Sequence, residues 1–316
     1  KQAKKRGIKP IIGCEVYVTP GNYLDKGPND KTRHHLILLA KNQTGYQNLI
    51  KIVSEGYVNG FYYKPRVDKS ILQAHSEGII CLSACLGGHV PRLLRENQYD
   101  QAKQVALDYA AIFGQGNYYL ELQDHGIVDQ KRVNLDLARI SKETGIPLVA
   151  TNDVHFTDKE DFKVHDVLLC IQTGAKVSDE NRMRFLNDQF YVKSEEEMAR
   201  VFSNYPQAIA NTKVIADACN VDFTFHELKL PHFDLPEGYT NASYLRELVE
   251  EGIYKKYDKV DQDILDRMNF ELKTIEDMGF IDYFLIVWDF IRYAKNQGIP
   301  VGPGRGSAAG SIISYA

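Results

Sequence analysis

The sequence has few cysteines, one tryptophan and no long apolar run. Five cysteines in 316 residues are an odd number, which does not make a disulfide framework, so we expect reduced thiols in a cytoplasmic protein. Charged side chains interrupt the longest apolar stretch, residues 280–294, which argues against a membrane span. With 38 Lys and Arg against 42 Asp and Glu, the formal net charge is -4, so bulk charge does not favour DNA binding.

Both ends of the sequence predict a piece of a longer protein. Residues 1–9 resemble the end of a helix that leads into a strand, and Ala316 lies inside an apolar run. We therefore expect that the function of the whole protein depends partly on residues outside this sequence.

The first two thirds of the chain alternate short apolar runs with amphipathic stretches. The runs, rich in Ile, Val, Leu and Tyr, predict strands at 11–18, 35–40, 78–85, 117–123 and 146–154. Strands that alternate with helices imply an α/β fold, with mostly parallel strands in a barrel or a doubly wound sheet. Farther along, Ser194 and Glu197 form a capping-box pattern that predicts the start of another helix.

The pattern changes at residues 225–239, which carry two prolines in their central part and no clear period. We place a domain boundary there, between residues 230 and 231. Beyond it the sequence predicts three helices followed by a short strand, GIPVG, that leads into a glycine-rich segment. The helices are expected at 244–257, 263–278 and 283–296.

Five residues of ligand type lie in or near the predicted strands: Glu15, His35, Cys85, Asp153 and His155. In barrel-like α/β folds, groups at the C-terminal ends of strands converge on one face. Asp153 and His155 are two residues apart, which would direct both to the same side of an extended segment. Carboxylate, imidazole and thiolate together suit zinc, or manganese if the thiolate does not bind.

Other interpretations of these residues stay open. Cys85 could be a buried structural thiol, and Asp153 with His155 could be a hydrogen-bonded loop pair. His34 competes with His35, because neighbouring residues of a strand face opposite ways.

A second acidic and basic pair, Glu121 and His125, lies beside the fourth predicted strand, with Glu121 inside its range. The pair could line the same cleft or begin a solvated helix, and we favour the solvated helix start.

Residues 301–316 form the most distinctive segment, in which four glycines surround a basic and a hydroxyl side chain. The members of interest for phosphate binding are Arg305, Gly306 and Ser307. Backbone N–H groups that open a helix, with a guanidinium nearby, suit phosphate. No Gly-Lys-Ser/Thr follows, so the segment is not a P-loop, and its match to a dinucleotide fingerprint is weak. The alternative is a turn that only allows close helix packing.

Several segments resemble the bacterial C-family replicative DNA polymerases. They include GIKPIIGCEVYV, LSACLGG, ELQDHG, VATNDVHF, MGFIDYFLIVWDFIRYAK and VGPGRGSAAGS, in the family's order. The resemblance implies a polymerase and histidinol phosphatase (PHP) domain at 1–230, a distorted β/α barrel with a metal cluster. Residues 231–316 would begin a mixed α+β polymerase palm.

The resemblance also implies roles for residues. The cluster ligands would fall on the five ligand-type residues named above, although the family's first His-x-His strand would precede Lys1. Gly306 and Ser307 would hold the triphosphate of the incoming nucleotide. The catalytic carboxylates of the palm would follow Ala316, so no catalytic residue for polymerisation lies in this chain, which should be inactive alone.

The implied activity is magnesium-dependent nucleotidyl transfer to a primer end. The PHP domain would bind zinc or manganese and act as a proofreading three-prime exonuclease. Implied partners are primer–template DNA, deoxynucleoside triphosphates, a sliding clamp, a clamp loader and a proofreading subunit. Two alternatives remain: a free-standing PHP phosphoesterase, and a PHP domain that only stabilises the polymerase or docks partners.

Overall fold

A computed structural model describes residues 1–28, 30–225, 227, 229–302, 304 and 306–316. The chain divides into two compact units, Lys1–Phe223 and Thr224–Ala316. The segment 225–239, which holds the predicted boundary, forms no helix or strand in its described residues. Within the described ranges no helix has the length and apolar character needed to cross a bilayer.

The first unit is built on a six-stranded sheet, which confirms the predicted α/β class. The strands are β1 Gly13–Val18, β2 His34–Ala40, β3 Arg66–Val67, β4 Ile79–Leu82, β5 Tyr118–Leu122 and β6 Leu148–Ala150. Their order across the sheet is β3-β1-β2-β4-β5-β6. The sheet is open, with β3 and β6 at its edges.

Strand direction in the sheet is mixed. β4, β5 and β6 are parallel, as predicted, and a helix lies in each connection between them. β2 instead runs antiparallel to both β1 and β4. No helix lies in the described part of the β1–β2 connection, and a parallel partner would require a long crossover.

Helices cover both faces of the sheet. Those of the first unit are α1 Gln2–Lys5, α2 Gln43–Val58, α3 Lys69–Ala74, α4 His89–Arg95, α5 Tyr99–Phe113, α6 Val128–Thr144, α7 Phe162–Thr173, α8 Glu195–Val201 and α9 Pro206–Ala218, with a 3-10 turn at Lys159–Asp161. Helices α2, α5 and α6 share one core with the sheet, while α9 packs on the other face against Ile80 and Val149. β4 and β5 are buried at every residue, which explains why they are almost continuously apolar.

The predicted capping box at the start of α8 is confirmed. The Glu197 N–H donates to the Ser194 hydroxyl at 3.2 Å, and the Ser194 N–H donates to the Glu197 carboxylate at 2.8 Å. These two bonds satisfy backbone donors that the first turn of a helix leaves without partners.

Every regular element in the described part of the second unit is a helix or a 3-10 turn. Its helices are α10 Asn241–Lys256, α11 Gln262–Asp277, α12 Ile281–Asn296 and α13 Ile312–Tyr315, with a 3-10 turn at Gly306–Gly310. The three long helices confirm the sequence prediction. They pack around a core that includes Leu245, Ile253, Leu272 and Leu285.

The short strand predicted at GIPVG is wrong. Gly298 has φ +72°, and the Ile299 N–H donates to the Ala294 carbonyl at 2.9 Å. This bond closes the C-terminal end of α12, so the segment continues the helix cap. The described residues of this unit also offer no partner strand.

Candidate functional site

Three of the predicted ligand residues come together in the first unit, two from neighbouring strands and one from a loop. Glu15 belongs to β1 and His35 to β2, and these strands pair so that His35 is opposite Tyr17. Since Glu15 and Tyr17 are two residues apart, Glu15 is a diagonal neighbour of His35 on the same face. Cys85 lies in the loop that follows β4. The strand register therefore brings a carboxylate, an imidazole and a thiol together.

His35 is the centre of this group. Its Nδ1 atom is 2.5 Å from a Glu15 carboxylate oxygen and 3.6 Å from the Cys85 sulfur. The hydrogen bonds with Cys85 and Glu15 raise the pKa of His35 to about 10. The hydrogen bond with His35 lowers the pKa of Glu15. The group therefore combines a carboxylate with a protonated imidazole at neutral pH.

The choice between His34 and His35 is now clear. His34 faces the opposite way, is buried, and stacks on His89 with ring centroids 4.1 Å apart. Burial is the main cause that lowers the pKa of His34 to about 3. The alternation of a strand thus places His35 at the candidate site and His34 in the interior.

Asp153 and His155 lie in the loop after β6 and form a second group. Asp153 has φ +44°, so the segment is not regularly extended, and the expectation that strand geometry directs both side chains is wrong. The His155 Nδ1 atom is 2.7 Å from the Asp153 backbone carbonyl and 3.9 Å from its carboxylate. The two residues are thus joined by a hydrogen bond to the main chain, which agrees with the alternative interpretation of a hydrogen-bonded loop pair.

This hydrogen bond also fixes the histidine tautomer. A carbonyl oxygen only accepts, so Nδ1 carries the proton, and in the neutral ring Nε2 has the lone pair. Metal-binding histidines commonly hold one nitrogen on a carbonyl in this way and use the other as the ligand. The His155 ring also packs against Phe185, with centroids 4.5 Å apart.

The two groups lie within electrostatic reach of each other. After the contacts with His35, an electrostatic interaction with His155 is a smaller cause that lowers the pKa of Glu15. Among the described residues, however, no three His, Cys, Asp or Glu side chains are arranged as ligands around one point. The structure therefore brings Glu15, His35 and Cys85 together and Asp153 close to His155, as two sets.

Glu121 is a residue whose role the sequence interpretation missed. It is buried in β5, so the favoured solvated position is wrong. Its carboxylate accepts from the Ala84 N–H at 2.9 Å and the Gln123 amide at 3.1 Å, and it also contacts the Thr151 hydroxyl. Ala84 has φ +64° and directly precedes Cys85. Glu121 therefore holds the strained loop that carries Cys85.

His125 supports the other group and is equally buried, again contrary to the solvated interpretation. Its Nε2 atom is 2.8 Å from the Asn152 carbonyl, and its Nδ1 atom is 2.8 Å from the Gln130 side-chain amide. Burial lowers the pKa of His125, which keeps the ring neutral. The carbonyl that it holds directly precedes Asp153. The sequence signal for both residues was their place in or beside a strand buried on both faces.

The described residues of the glycine-rich segment are exposed up to Gly310, whereas Ile312 and Ile313 at its end are buried. Gly306 has φ +69° and begins the 3-10 turn Gly306–Gly310, which also contains Ser307. Arg305 lies outside the described residues. The predicted helix start at Gly306 is thus found as a short 3-10 turn, followed by α13.

The sequence is similar to known proteins along its whole length. A family model described as the PHP domain matches residues 1–125, and one described as the bacterial DNA polymerase III alpha NTPase domain matches residues 243–316. DNA polymerase III subunit alpha of Borreliella burgdorferi is 49% identical over 100% of this chain, and that of Treponema pallidum 47% over 100%. The Thermus aquaticus subunit is 38% identical over 100% of the chain.

The chain spans 28%, 27% and 31% of the length of these three relatives. Both domain matches and all three relatives agree with the resemblance seen in the sequence. The chain belongs to the family of bacterial DNA polymerase III alpha subunits.

Proposed function

We propose that this chain is part of a replicative DNA-directed DNA polymerase, which transfers nucleotides to a primer end. The observation that supports this is the similarity to alpha subunits over the full chain. Magnesium would neutralise the charge that develops on the phosphates. Primer–template DNA and deoxynucleoside triphosphates would be the substrates, and the sliding clamp, clamp loader and proofreading subunit the partners. Primer extension by the polymerase that carries this sequence tests the proposal.

Gly306 and Ser307 would bind the phosphates of the incoming nucleotide in this polymerase. Their exposure leaves backbone N–H groups and a hydroxyl accessible to a ligand. Arg305 would add a charge-assisted hydrogen bond.

For the first unit we propose a zinc or manganese site that supports removal of nucleotides from a three-prime end. Glu15, His35, Cys85, Asp153 and His155 would hold the metal. The donor set fits: it offers carboxylate, imidazole and thiol groups, and the His155 Nε2 lone pair is available. Binding requires His35 to release its proton, which makes metal uptake pH-dependent.

A bound metal would supply a water molecule of lowered pKa and neutralise charge on the scissile phosphate. The surrounding residues keep the donors in place. Glu121 fixes the loop before Cys85, and His125 fixes the carbonyl before Asp153. Such support by neighbouring groups is what binding sites of this kind require.

Elemental analysis after equilibration with zinc or manganese tests the metal site. The longer polymerase that carries this sequence should retain metal, and Asp153→Asn should lose most of it, while this chain alone should bind metal more weakly. Asp217→Asn, which alters an exposed carboxylate on α9, serves as the matched control. Metal retention that is the same in both variants, or absent from the unaltered longer protein, would contradict the site.

The identity of the metal can be tested at Cys85. Cys85→Ser should weaken zinc binding more than manganese binding, because the thiolate is the soft ligand. Cys14→Ser, one residue from Glu15 on the same strand, should change neither. Equal loss of both metals in Cys85→Ser would mean that the sulfur is not a ligand.

The hydrolytic activity needs a separate assay. With metal bound, a labelled primer should be shortened from its three-prime end, and His155→Ala should abolish shortening. A metal-loaded protein that leaves the primer intact would refute the exonuclease.

A structural or docking role for the PHP domain is the second candidate. The observation in its favour is that Glu15 and His35 already satisfy each other at 2.5 Å. A free-standing phosphoesterase is less favoured, because it leaves the match at residues 243–316 without a role.

A further inference from the structure

A basic cavity lies next to the Glu15–His35–Cys85 group on the first unit. Its volume is about 800 Å³, and His35 and Gly87 form part of its wall. This volume lies in the range of small-ligand sites, about 300–1,000 Å³. Because His35 belongs to both, a ligand in the cavity would reach the candidate metal site.

The cavity has a charge opposite to that of the chain. Its wall contains five basic side chains: Lys31, Arg33, Arg92, Arg95 and Arg132. It contains two carboxylates, those of Glu96 and Asp129. The wall is therefore positive by three charges without His35, although the formal net charge of the chain is -4. Such local concentration of one sign attracts ligands of the other sign.

Two arginines of the helical wall, Arg92 and Arg95, keep free donors, whereas Arg132 donates through both terminal nitrogens to Asn97 and to the Arg95 carbonyl. Arg92 binds Glu96 through Nε at 3.1 Å, and Arg95 binds Asp129 through Nε at 3.1 Å. Within the described part of the chain, the terminal nitrogens of both guanidinium groups make no further bond. An arginine that is oriented by one nitrogen and free at the others is suited to binding phosphate.

The opposite wall combines cations with an aromatic ring. The Arg33 guanidinium lies over the Tyr17 ring, 5.4 Å from its centroid. No carboxylate pairs with Lys31 or Arg33 among the residues that the structure describes. Cations placed beside an aromatic ring occur on surfaces that bind single-stranded nucleic acids, where bases stack on rings and phosphates contact cations.

We propose that this cavity binds the phosphate backbone of a single-stranded nucleic acid and leads its end toward His35. The proposal rests on the proposed function in its choice of polyanion. An acidic peptide is the competing ligand, but it has no base to stack on the guanidinium of Arg33, which lies over the Tyr17 ring.

The test measures binding of a fluorescent single-stranded oligothymidylate of about ten nucleotides. Anisotropy is recorded with the purified chain in the presence of EDTA, across about 50–200 mM salt. EDTA removes metal and hydrolysis, so the result does not depend on the metal site. Binding in EDTA with no activity after metal addition would support this inference while refuting the exonuclease.

The principal variant is Lys31→Ala with Arg33→Ala, which removes two cations from the cavity. We expect binding to weaken by about tenfold or more at low salt. The slope of log affinity against log salt should become shallower by about 1.4, since each phosphate contact on a single strand contributes about 0.7.

Lys142→Ala with Lys213→Ala is the matched control, because it removes the same charge from exposed positions outside the cavity. The control should leave the slope unchanged. An equal effect of both double variants would overturn the proposal, as would failure of the unaltered chain to bind the oligonucleotide.

Arg92→Ala provides an independent variant on the helical wall. It should reduce the slope by about 0.7 even if the change in the 31–33 loop disturbs local structure. Polyglutamate that competes as well as oligothymidylate at equal charge would assign the cavity to an acidic protein instead. Inorganic tripolyphosphate that competes equally would assign it to small phosphates.

Discussion

Cys85 and Ser307 are both small polar residues in loops proposed to bind ligands, yet their surroundings differ. Cys85 is partly buried, contacts His35 at 3.6 Å and accepts from the Gly87 N–H at 3.5 Å. The residue before it is fixed by the buried Glu121 carboxylate. Ser307 is exposed in a 3-10 turn, after a glycine with φ +69°.

This difference indicates two ways of preparing a site. Around Cys85 the orientation is set by side chains from several strands, so it should be sensitive to changes at a distance. The orientation of Ser307 is set by the local backbone. Only substitutions within the glycine-rich segment should therefore affect it. The predictions below test this contrast, beginning with the largest effect.

Glu121→Ala should have the largest effect on the first unit. It removes the buried carboxylate, so the Ala84 N–H and the Thr151 hydroxyl lose their acceptor. We expect a loss of about 3 kcal/mol in the free energy of unfolding, since each buried donor without a partner costs about 1–3 kcal/mol. Chemical denaturation measures the change.

Glu121→Gln is the matched variant, because it keeps one oxygen acceptor and nearly the same shape. It should lose less stability than Glu121→Ala and retain more metal. Glu180→Ala, at an exposed position, should have little effect. Equal stability of Glu121→Ala and the unaltered chain would mean that the loop before Cys85 does not depend on this carboxylate.

The second prediction concerns pH and the interior side of the same strand. Burial holds the pKa of His34 at about 3 in the folded state, whereas an unfolded histidine has a pKa of about 6.5. Between these values the unfolded chain binds the extra proton, so stability falls as pH decreases. The contribution is about 1.4 kcal/mol for each pH unit below about 6.5.

His34→Gln removes this titration and should reduce the slope of stability against pH by that amount. Denaturation at about pH 8, where both states are neutral, reports the loss of packing alone. His89 contributes in the same direction, because burial lowers its pKa to about 4. If His34→Gln and the unaltered chain have the same slope of stability against pH, His34 takes up its proton at the same pH in the folded and unfolded states.

Local patterns predicted the elements, but contacts between distant residues determined the details of the site. The alternation of side-chain direction along a strand correctly predicted that His34 and His35 lie on opposite faces of the sheet. It failed at Asp153, because the chain leaves the extended conformation after β6. It also failed at Glu121, whose partners, Ala84 and Thr151, come from two other strand ends. The missing strand at GIPVG has the same cause, since strand formation depends on a partner.

Gly306→Val tests the glycine-rich segment, where the expected effect is local. A side chain at φ +69° costs about 1–2 kcal/mol, and a β-branched one is especially unfavourable. Within the proposed polymerase, it should raise the KM for nucleotide or abolish primer extension, while metal content stays unchanged. Gly302→Val is the control, because Gly302 is exposed and has open space around it. Normal extension by Gly306→Val would reduce the segment to a packing turn.

Ser307→Ala should have the smallest effect and the most specific one. It removes one hydroxyl from an exposed position, so the stability of the second unit should stay within about 0.5 kcal/mol. If the hydroxyl binds a phosphate of the nucleotide, its loss should cost about 0.5–1.5 kcal/mol in binding, or about two- to tenfold in KM. Ser314→Ala, at an exposed position in the same segment, should change neither quantity. If KM is unchanged in Ser307→Ala but raised in Gly306→Val, the backbone alone binds the phosphate. The glycine-rich segment would then bind its ligand through the main chain, whereas the site around Cys85 uses side chains.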